Sequence, residues 1–332
     1  MDIYFDDLLD TYYARRPLTL VDVGARGGLQ PNWKPARRHL RLVGFEPAAA
    51  EHARLSALAD GERTLYIDAA VAERAGHVVL NVARDGGTSS TLAPNMSFLR
   101  RFPRAERFET VEKVTVAADT LDRLLAAHAV RDADFLKLDT QGAELAILRG
   151  AAQTLAGAFG VEAEIQLGAL YIGQPSIGEI DDTLRSSGFQ LFDLRPAYWK
   201  RSAGTLYGGP KGQLVFCDSL YFKTEEAFQR QLDAVIDPFE RASTLLRAVS
   251  ICVLYGYLDY AIELFEPNRS LLDTPLANEL GRRLRTQVPF SARIPHFRGR
   301  GWLSHAFYRL HRAFFPTVDR WASGGRPLGN LD

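Results

Sequence analysis

The stretch LTLVDVGARGG, residues 18–28, decides the fold. An apolar run of strand length meets an acid, Asp22, and Gly24, Gly27 and Gly28 follow at once. Glycine lets a backbone turn tightly and approach a ligand closely, although a short glycine cluster also fits a turn that holds nothing. The next apolar run, LRLVGFEP, ends on Glu46. That is roughly the 20-residue separation at which a strand-end carboxylate can accept both hydroxyls of an adenosine ribose. The glycines and the acid together imply a cofactor containing adenosine. A nicotinamide dinucleotide wants G-x-G-x-x-G and a helix N-terminus facing its diphosphate. Here the order is Gly24-Ala25-Arg26-Gly27-Gly28, and Asp22 would repel a diphosphate. An acid there suits a cofactor with an ammonium, a sulfonium and no phosphate, which is S-adenosylmethionine.

Outward from this stretch, strand-like and helix-like segments alternate up to residue 223. RTLYIDAAVA follows the helical AAAEHARLSALA, and GHVVLNVA and VEKVTVAA read as extra strands around an irregular segment. Asp119 is placed to cap the helix TLDRLLAAHA, DADFLKLDTQ reads as a strand, and GAELAILRGAAQTLAG as one helix. FGVEAEIQLG, SIGEIDDTLRSSG, FQLFDLR and GQLVFCDSLYFK complete the pattern. Buried strands alternating with helices predict an α/β fold with a doubly wound, mostly parallel sheet. Ligands of such sheets bind beyond the carboxyl ends of the strands, and Asp22, Glu46, Asp68, Asp139 and Glu164 all fall at or near those ends.

From Thr224 the sheet-like runs stop and arginine-rich helical patterns begin. Two units are expected: residues 1–223, and a helical C-terminal extension over 224–332. LLRAVSICVLYGYLDYAIELFE reads as two helices joined at Gly256. With 40 basic and 40 acidic residues the net charge is zero, so no global field recruits nucleic acid or membrane. Cys217 and Cys252 sit in apolar surroundings and read as buried thiols. The acidic MDIYFDDLLD has no apolar signal core, and SICVLYGYLDYAIELF carries Asp259 and Glu263, which speaks against a bilayer span. A cytoplasmic protein is the expectation, with a peripheral place at the inner membrane surface as its variant.

VDVGARGG, GFEP, DFLKLDTQGAELAILRGA and EIQLGALYIGQPSIGEIDDTLRSSGFQLFDL resemble the FkbM-type S-adenosylmethionine-dependent methyltransferases, over roughly residues 18–222, with 72–115 looser. The resemblance implies a class I methyltransferase (Rossmann-like) fold and methylation of a hydroxyl on a sugar, glycan or natural product. By the same resemblance Asp22, Gly24 and Gly28 fall on the cofactor motif, Glu46 on the ribose acid, and Asp68 where an acid contacts the adenine amino group. Arg26 departs from the pattern; it either reaches the methionine carboxylate or faces solvent.

Methyl transfer to an alcohol needs collinear positioning of acceptor, methyl and sulfur and a group to accept the hydroxyl proton. KLDTQGAE and AEIQ offer Asp139, Glu144 and Glu164. Each has a plainer reading: a helix N-cap for Asp139, a dipole partner for Glu144, a structural carboxylate for Glu164. The three together could also hold a divalent cation, which is not the favoured reading, since strand-end acids more often serve structure or substrate. Lys137 lies on the same face as Asp139 or is paired nearby. No histidine sits in a motif. RDGGTSSTL, residues 84–92, is either a loop closing over substrate or a surface turn, and Tyr171 either stacks on a sugar or plugs the core. The rival functions are an NAD(P)-dependent oxidoreductase and a non-catalytic binding protein. Near the end, RGWLSHAFYRLHRAFFPT reads as an amphipathic helix stopped by Pro316. Leu303, Phe307, Leu310 and Phe314 share one face. The favoured expectation packs that stripe on the helical region; the alternative is membrane contact through 300–315. The sequence leaves the oligomeric state open.

Overall fold

A computed structural model describes residues 9–59, 63–205, 207, 211–286, 294–314, 321–324 and 328. The acidic N-terminal stretch up to residue 8 and Pro316 lie outside the described residues. The strands are β1 Leu18–Val23, β2 Leu40–Phe45, β3 Thr64–Ile67, β4 Ala70–Val71, β5 Gly76–Ala83, β6 Thr110–Asp119, β7 Phe135–Leu138, β8 Gly160–Gln166, β9 Phe189–Trp199, β10 Gln213–Lys223 and β11 Ala322–Ser323. The helices are α1 Asp10–Arg15, α2 Ala49–Ala57, α3 Met96–Leu99, α4 Leu121–Ala127, α5 Glu144–Arg149, α6 Ala152–Gly157, α7 Ile177–Ser186, α8 Glu225–Ala234, α9 Pro238–Leu254, α10 Leu258–Phe265, α11 Thr274–Thr286 and α12 Arg300–Ala313.

Eight strands form one sheet in the order β11-β9-β10-β8-β7-β1-β2-β3. From β8 to β3 neighbours run parallel, and β10 is inverted against both β8 and β9. The strand order therefore reverses at β1, with β2 on one side and β7 on the other, which is where an open α/β sheet leaves a crevice. The two extra strands of the irregular region do not join this sheet. β6 pairs with β5 on one side and with β4 on the other, in a separate three-stranded sheet.

Side chains alternate across the sheet with period two, and two hydrophobic clusters result. Val21, Val23, Leu136, Leu138, Val161 and Ala163 face the helices α4–α7. Leu18, Leu20, Phe135 and Phe222 face the other way, into one cluster with Leu245, Val249, Cys252, Leu264 and Leu280 of the C-terminal helices. The change of texture at Thr224 is thus a change of element type, and the helices beyond it share the core of the sheet. Arg247 of α9 is tied to the foot of β7 by a buried ion pair, its Nε 2.6 Å from Asp134 Oδ1, while Asp134 Oδ2 accepts the backbone N–H of Thr19 at 2.7 Å. The two helices read around Gly256 are α9 and α10, and Gly256 has φ of 77°.

Three local expectations are corrected. The cap of α4 is Thr120, whose hydroxyl accepts Arg123 N–H, while Asp119 accepts the N–H of Thr120. The helix read over 142–157 breaks into α5 and α6 after Arg149, because the backbone of Gly150 lies against the Ala72 carbonyl, leaving 2.6 Å for a Cβ. The apolar stripe of α12 does not pack on the helical region: Leu303, Phe307, Leu310 and Phe314 are all exposed.

Candidate active site

The turn after β1 is built by contact with the end of β7. Gly24 has φ of 85°, and a Cβ there would lie 2.0 Å from the Asp139 carbonyl oxygen. No other residue fits, so the glycine brings the first turn flush against the strand that ends on Asp139. The N–H groups of Gly24 and Ala25 both donate to the Phe45 carbonyl at 3.1 Å, which fixes the turn against the exit of β2. Gly27 and Gly28 continue with φ of 87° and 77°. The chain then enters a 3-10 segment, Pro31–His39, rather than a regular α-helix.

A cavity of about 290 Å³ opens above these exits. Gly24, Gly27 and Glu46 form one wall, Ala69, Ala70, Val71 and Leu80 an apolar side, and Asp139, Thr140 and Gln141 the far end. Glu46 is buried and holds the Ala48 N–H at 2.9 Å through Oε1. Burial pushes its carboxyl up from the ordinary range, against the Ala48 hydrogen bond and the nearby Arg26. The loop 84–92 is a wall of this cavity, through Gly86, Gly87, Ser89, Ser90 and Thr91. Ser90 Oγ donates to the Gln141 carbonyl at 2.8 Å and pins the loop to the turn after β7. Arg26 also lines the cavity, with its guanidinium packed against Gly86 of the loop.

At the far end the chain is strained. Gln141 has φ of 59°, a left-handed conformation costing a non-glycine residue on the order of 1–3 kcal/mol. Its side chain shows what the strain secures. Nε2 donates to Asp139 Oδ1 at 3.0 Å and to Glu164 Oε1 at 2.6 Å, and Oε1 accepts from the Tyr171 hydroxyl at 2.9 Å. The Tyr171 hydroxyl also lies 2.9 Å from the Thr88 carbonyl, so one proton serves two acceptors. Burial, then the charges of Asp139, Asp218 and Glu144, push the Glu164 carboxyl well above the ordinary range. Half-exposed Asp139 is thus the carboxylate presented to the cavity, with a neutral amide and a buried carboxyl behind it.

A family model described as the methyltransferase FkbM domain matches residues 22–191, just over half of the chain. The chain belongs to the FkbM methyltransferase family. Its sheet order and inverted β10 are those of the class I methyltransferase fold. Similar solved structures include the FkbM methyltransferase of Methylobacillus flagellatus KT, at 15% identity and a TM-score of 0.36 over 62% of this chain and 43% of that one. The chain therefore spans less than half the length of that relative. The magnesium protoporphyrin IX methyltransferase of Synechocystis PCC 6803, with S-adenosylmethionine bound, aligns at 10% identity and a TM-score of 0.33 over 67% of this chain and 79% of that one. The 1,6-didemethyltoxoflavin-N1-methyltransferase of Burkholderia thailandensis, with S-adenosylhomocysteine, aligns at 15% and 0.30 over 67% of this chain and 79% of that one. No curated protein sequence matches the chain.

Within the FkbM domain, Gly24, Gly27, Glu46 and Asp139 are brought together on the cavity, and five other candidates stand elsewhere. Gly28 lies beyond the turn, on a basic groove with Lys34 and Arg54. Asp22 is buried one step below the cavity, with Oδ1 3.0 Å from Lys137 Nζ, its register partner on β7. Its carboxylate is spent on that ammonium and does not line the cavity. Asp68 is exposed to solvent, because β3 ends at Ile67 and the alternation turns the next side chain outward; Ala69 and Ala70 face the cavity instead. Glu144 is wholly buried and turned inward, accepting the N–H groups of Thr140 and Gly142 at 2.9 Å each. Burial pushes its carboxyl up to about 7 against those hydrogen bonds. It clamps the turn from within. Glu164 stands behind Gln141, outside the cavity wall. Tyr171 is a buried plug. Among the described residues no group of three or more His, Cys, Asp or Glu side chains is placed to hold a metal ion. The sequence reading missed the bridging role of Gln141. Its only signal was a long amide between an acid and a glycine in DTQGAE.

Proposed function

We propose that the protein transfers a methyl group from S-adenosylmethionine to a hydroxyl oxygen of a sugar, glycan or natural product. The observation that carries this reading is the pairing of Glu46 and Asp139 on one cavity at the exits of β2 and β7, across the glycine turn. When bound, S-adenosylmethionine supplies an electrophilic methyl on a cationic sulfur. Glu46 accepts from the ribose hydroxyls, and the apolar side made by Ala69, Ala70, Val71 and Leu80 takes the adenine. Asp139 accepts the proton of the attacking hydroxyl, which general-base catalysis makes worth roughly 10²–10⁴ in rate. Gln141 holds Asp139 in place and does not itself titrate.

Two features weigh against a nicotinamide dinucleotide. The glycine turn leads into a 3-10 segment carrying Pro31 and Pro35, so it lacks the long helix whose N-terminal N–H groups would meet a diphosphate. Asp139, at the far end of the cavity, would also repel one. The test is incubation of the purified protein with methyl-labelled S-adenosylmethionine and glycans or small hydroxylated metabolites, read by mass spectrometry. A gain of one methyl on oxygen supports the reading. Methyl transfer to nitrogen only, or cofactor binding with no transfer to any acceptor, contradicts it.

A further inference from the structure

The helix α12 carries an apolar face that no part of the described chain covers. Leu303, Phe307, Leu310 and Phe314 recur at helical spacing, and Phe307 and Phe314 are 62% and 78% exposed. Trp302, at the border of this face, is 74% exposed. A monomeric protein seldom leaves such a stripe in water. The chemistry around it is one-sided. Residues 294–314 contain no Asp or Glu, while Arg298, Arg300, Arg309 and Arg312 and three histidines lie in the same stretch of a chain that is neutral overall. An acidic protein partner or a second copy would have to cover both aromatics and cations. An anionic lipid surface meets both at once, with acyl chains under the aromatics and headgroups at the arginines.

The helix is also held close to the acceptor end of the sheet. After α12 the chain returns at Trp321, which is buried against Trp199 with ring centroids 5.3 Å apart, and Ala322 and Ser323 pair with the end of β9. Trp199 belongs to the same aromatic cluster as Phe108 and Tyr171, behind the Gln141 network. Six residues lie between Phe314 and Trp321, so the end of the helix lies within roughly 25 Å of Trp321 in that cluster even on a fully extended chain.

We propose that α12 docks the protein on an anionic phospholipid bilayer, lying in the headgroup region with Leu303, Phe307, Leu310 and Phe314 inserted. The site would then work at a membrane surface, on acceptors presented there. The proposal stands on the exposed face and its charge, whatever reaction the cavity performs.

The experiment is flotation of the full chain with vesicles of phosphatidylcholine alone and of phosphatidylcholine with phosphatidylglycerol, at low and high salt. Flotation is expected with the anionic vesicles only, weakening as salt shortens screening to a few ångströms. The double substitution Phe307→Glu with Leu310→Glu should abolish it, and Arg309→Glu should weaken partitioning roughly fivefold or more. All three side chains are exposed, so the melting temperature of each variant should match the parent and show that the fold is intact. No flotation with either vesicle overturns the proposal, as does flotation that survives the double substitution. Self-association that the double substitution removes, without flotation, assigns the face to a second copy and overturns it equally.

Discussion

Two rows of residues, one across β1, β7 and β8 and one two positions further on at the exits of β1 and β7, have opposite fates. The lower row is Asp22, Lys137 and Glu162, in register across β1, β7 and β8. The upper row is Gly24, Asp139 and Glu164. The lower row lies on the face that the C-terminal helices cover, since it alternates with Leu20 and Phe135 on that face. The lower row is closed: Lys137 is 3.0 Å from Asp22, and the Tyr255 hydroxyl of α9 donates to Glu162 at 2.7 Å. Burial works against the Lys137 charge, but Asp22, Asp139 and Glu162 outweigh it and hold the ammonium above its ordinary value. The upper row shares that cation only at its margin, with Lys137 Nζ 3.9 Å from Asp139 Oδ2. A neutral amide, Gln141, joins two carboxyls, and one of them opens on the cavity. The difference teaches that the row closed tightly on its cation is part of the scaffold, and that the row paired only loosely at the strand exits is where chemistry is available.

The sharpest way to break this contrast is at the upper row. Asp139→Asn keeps the shape and removes the proton acceptor, so turnover should fall by about 10²–10⁴ while cofactor affinity stays within a small factor. Initial rates alongside a binding isotherm check it. Near-normal turnover would move the base elsewhere.

The lower row should respond in stability. Lys137→Met leaves buried Asp22 and Glu162 without their cation, and breaking such a group costs roughly 3–5 kcal/mol. Denaturant titration would show it as a large drop in the midpoint. A loss under about 1 kcal/mol, the range of an exposed pair, would mean that the row is not closed.

A smaller effect sharpens the same point through pH. Burial pushes the Glu162 carboxyl up to about 7, while Tyr255 and Lys137 pull it down. The folded chain then binds this proton more tightly than the unfolded chain, whose carboxyl titrates near the ordinary 4.5. The stability it contributes is complete below about 4.5 and is lost as pH rises toward about 7. Glu162→Gln removes that slope. The variant should gain on the parent across this window, by at most about 3 kcal/mol. Parallel stability–pH curves would show that Glu162 stays ionised throughout.

The sequence made the strands and the upper row legible because apolar runs and the acids that end them are local signals. Gly24, Glu46 and Asp139 could be placed at strand exits for that reason. The lower row was illegible because register is not local: Lys137 meets Asp22 from 115 residues away. Glu144 and Asp68 show a second limit. An acid beside a turn can face inward, outward or onto the ligand, and the choice depends on where the strand stops in its two-residue period. The contrast between α9 and α12 shows a third. Both carry apolar side chains in helical periods, yet α9 is buried in the core shared with the sheet and α12 is exposed. Periodicity reports that a face exists, not what covers it.

The central claim is that the cavity beside the upper row is built for S-adenosylmethionine. Calorimetric titration of S-adenosylhomocysteine and of NADH into the full chain and into its Glu46→Ala variant tests it most directly. The account predicts that S-adenosylhomocysteine binds the parent, that NADH does not, and that the variant binds about tenfold more weakly or worse, since charge-assisted hydrogen bonds are worth roughly 1.5–3 kcal/mol each. Binding of NADH, or an unchanged affinity for S-adenosylhomocysteine in the folded variant, would contradict it.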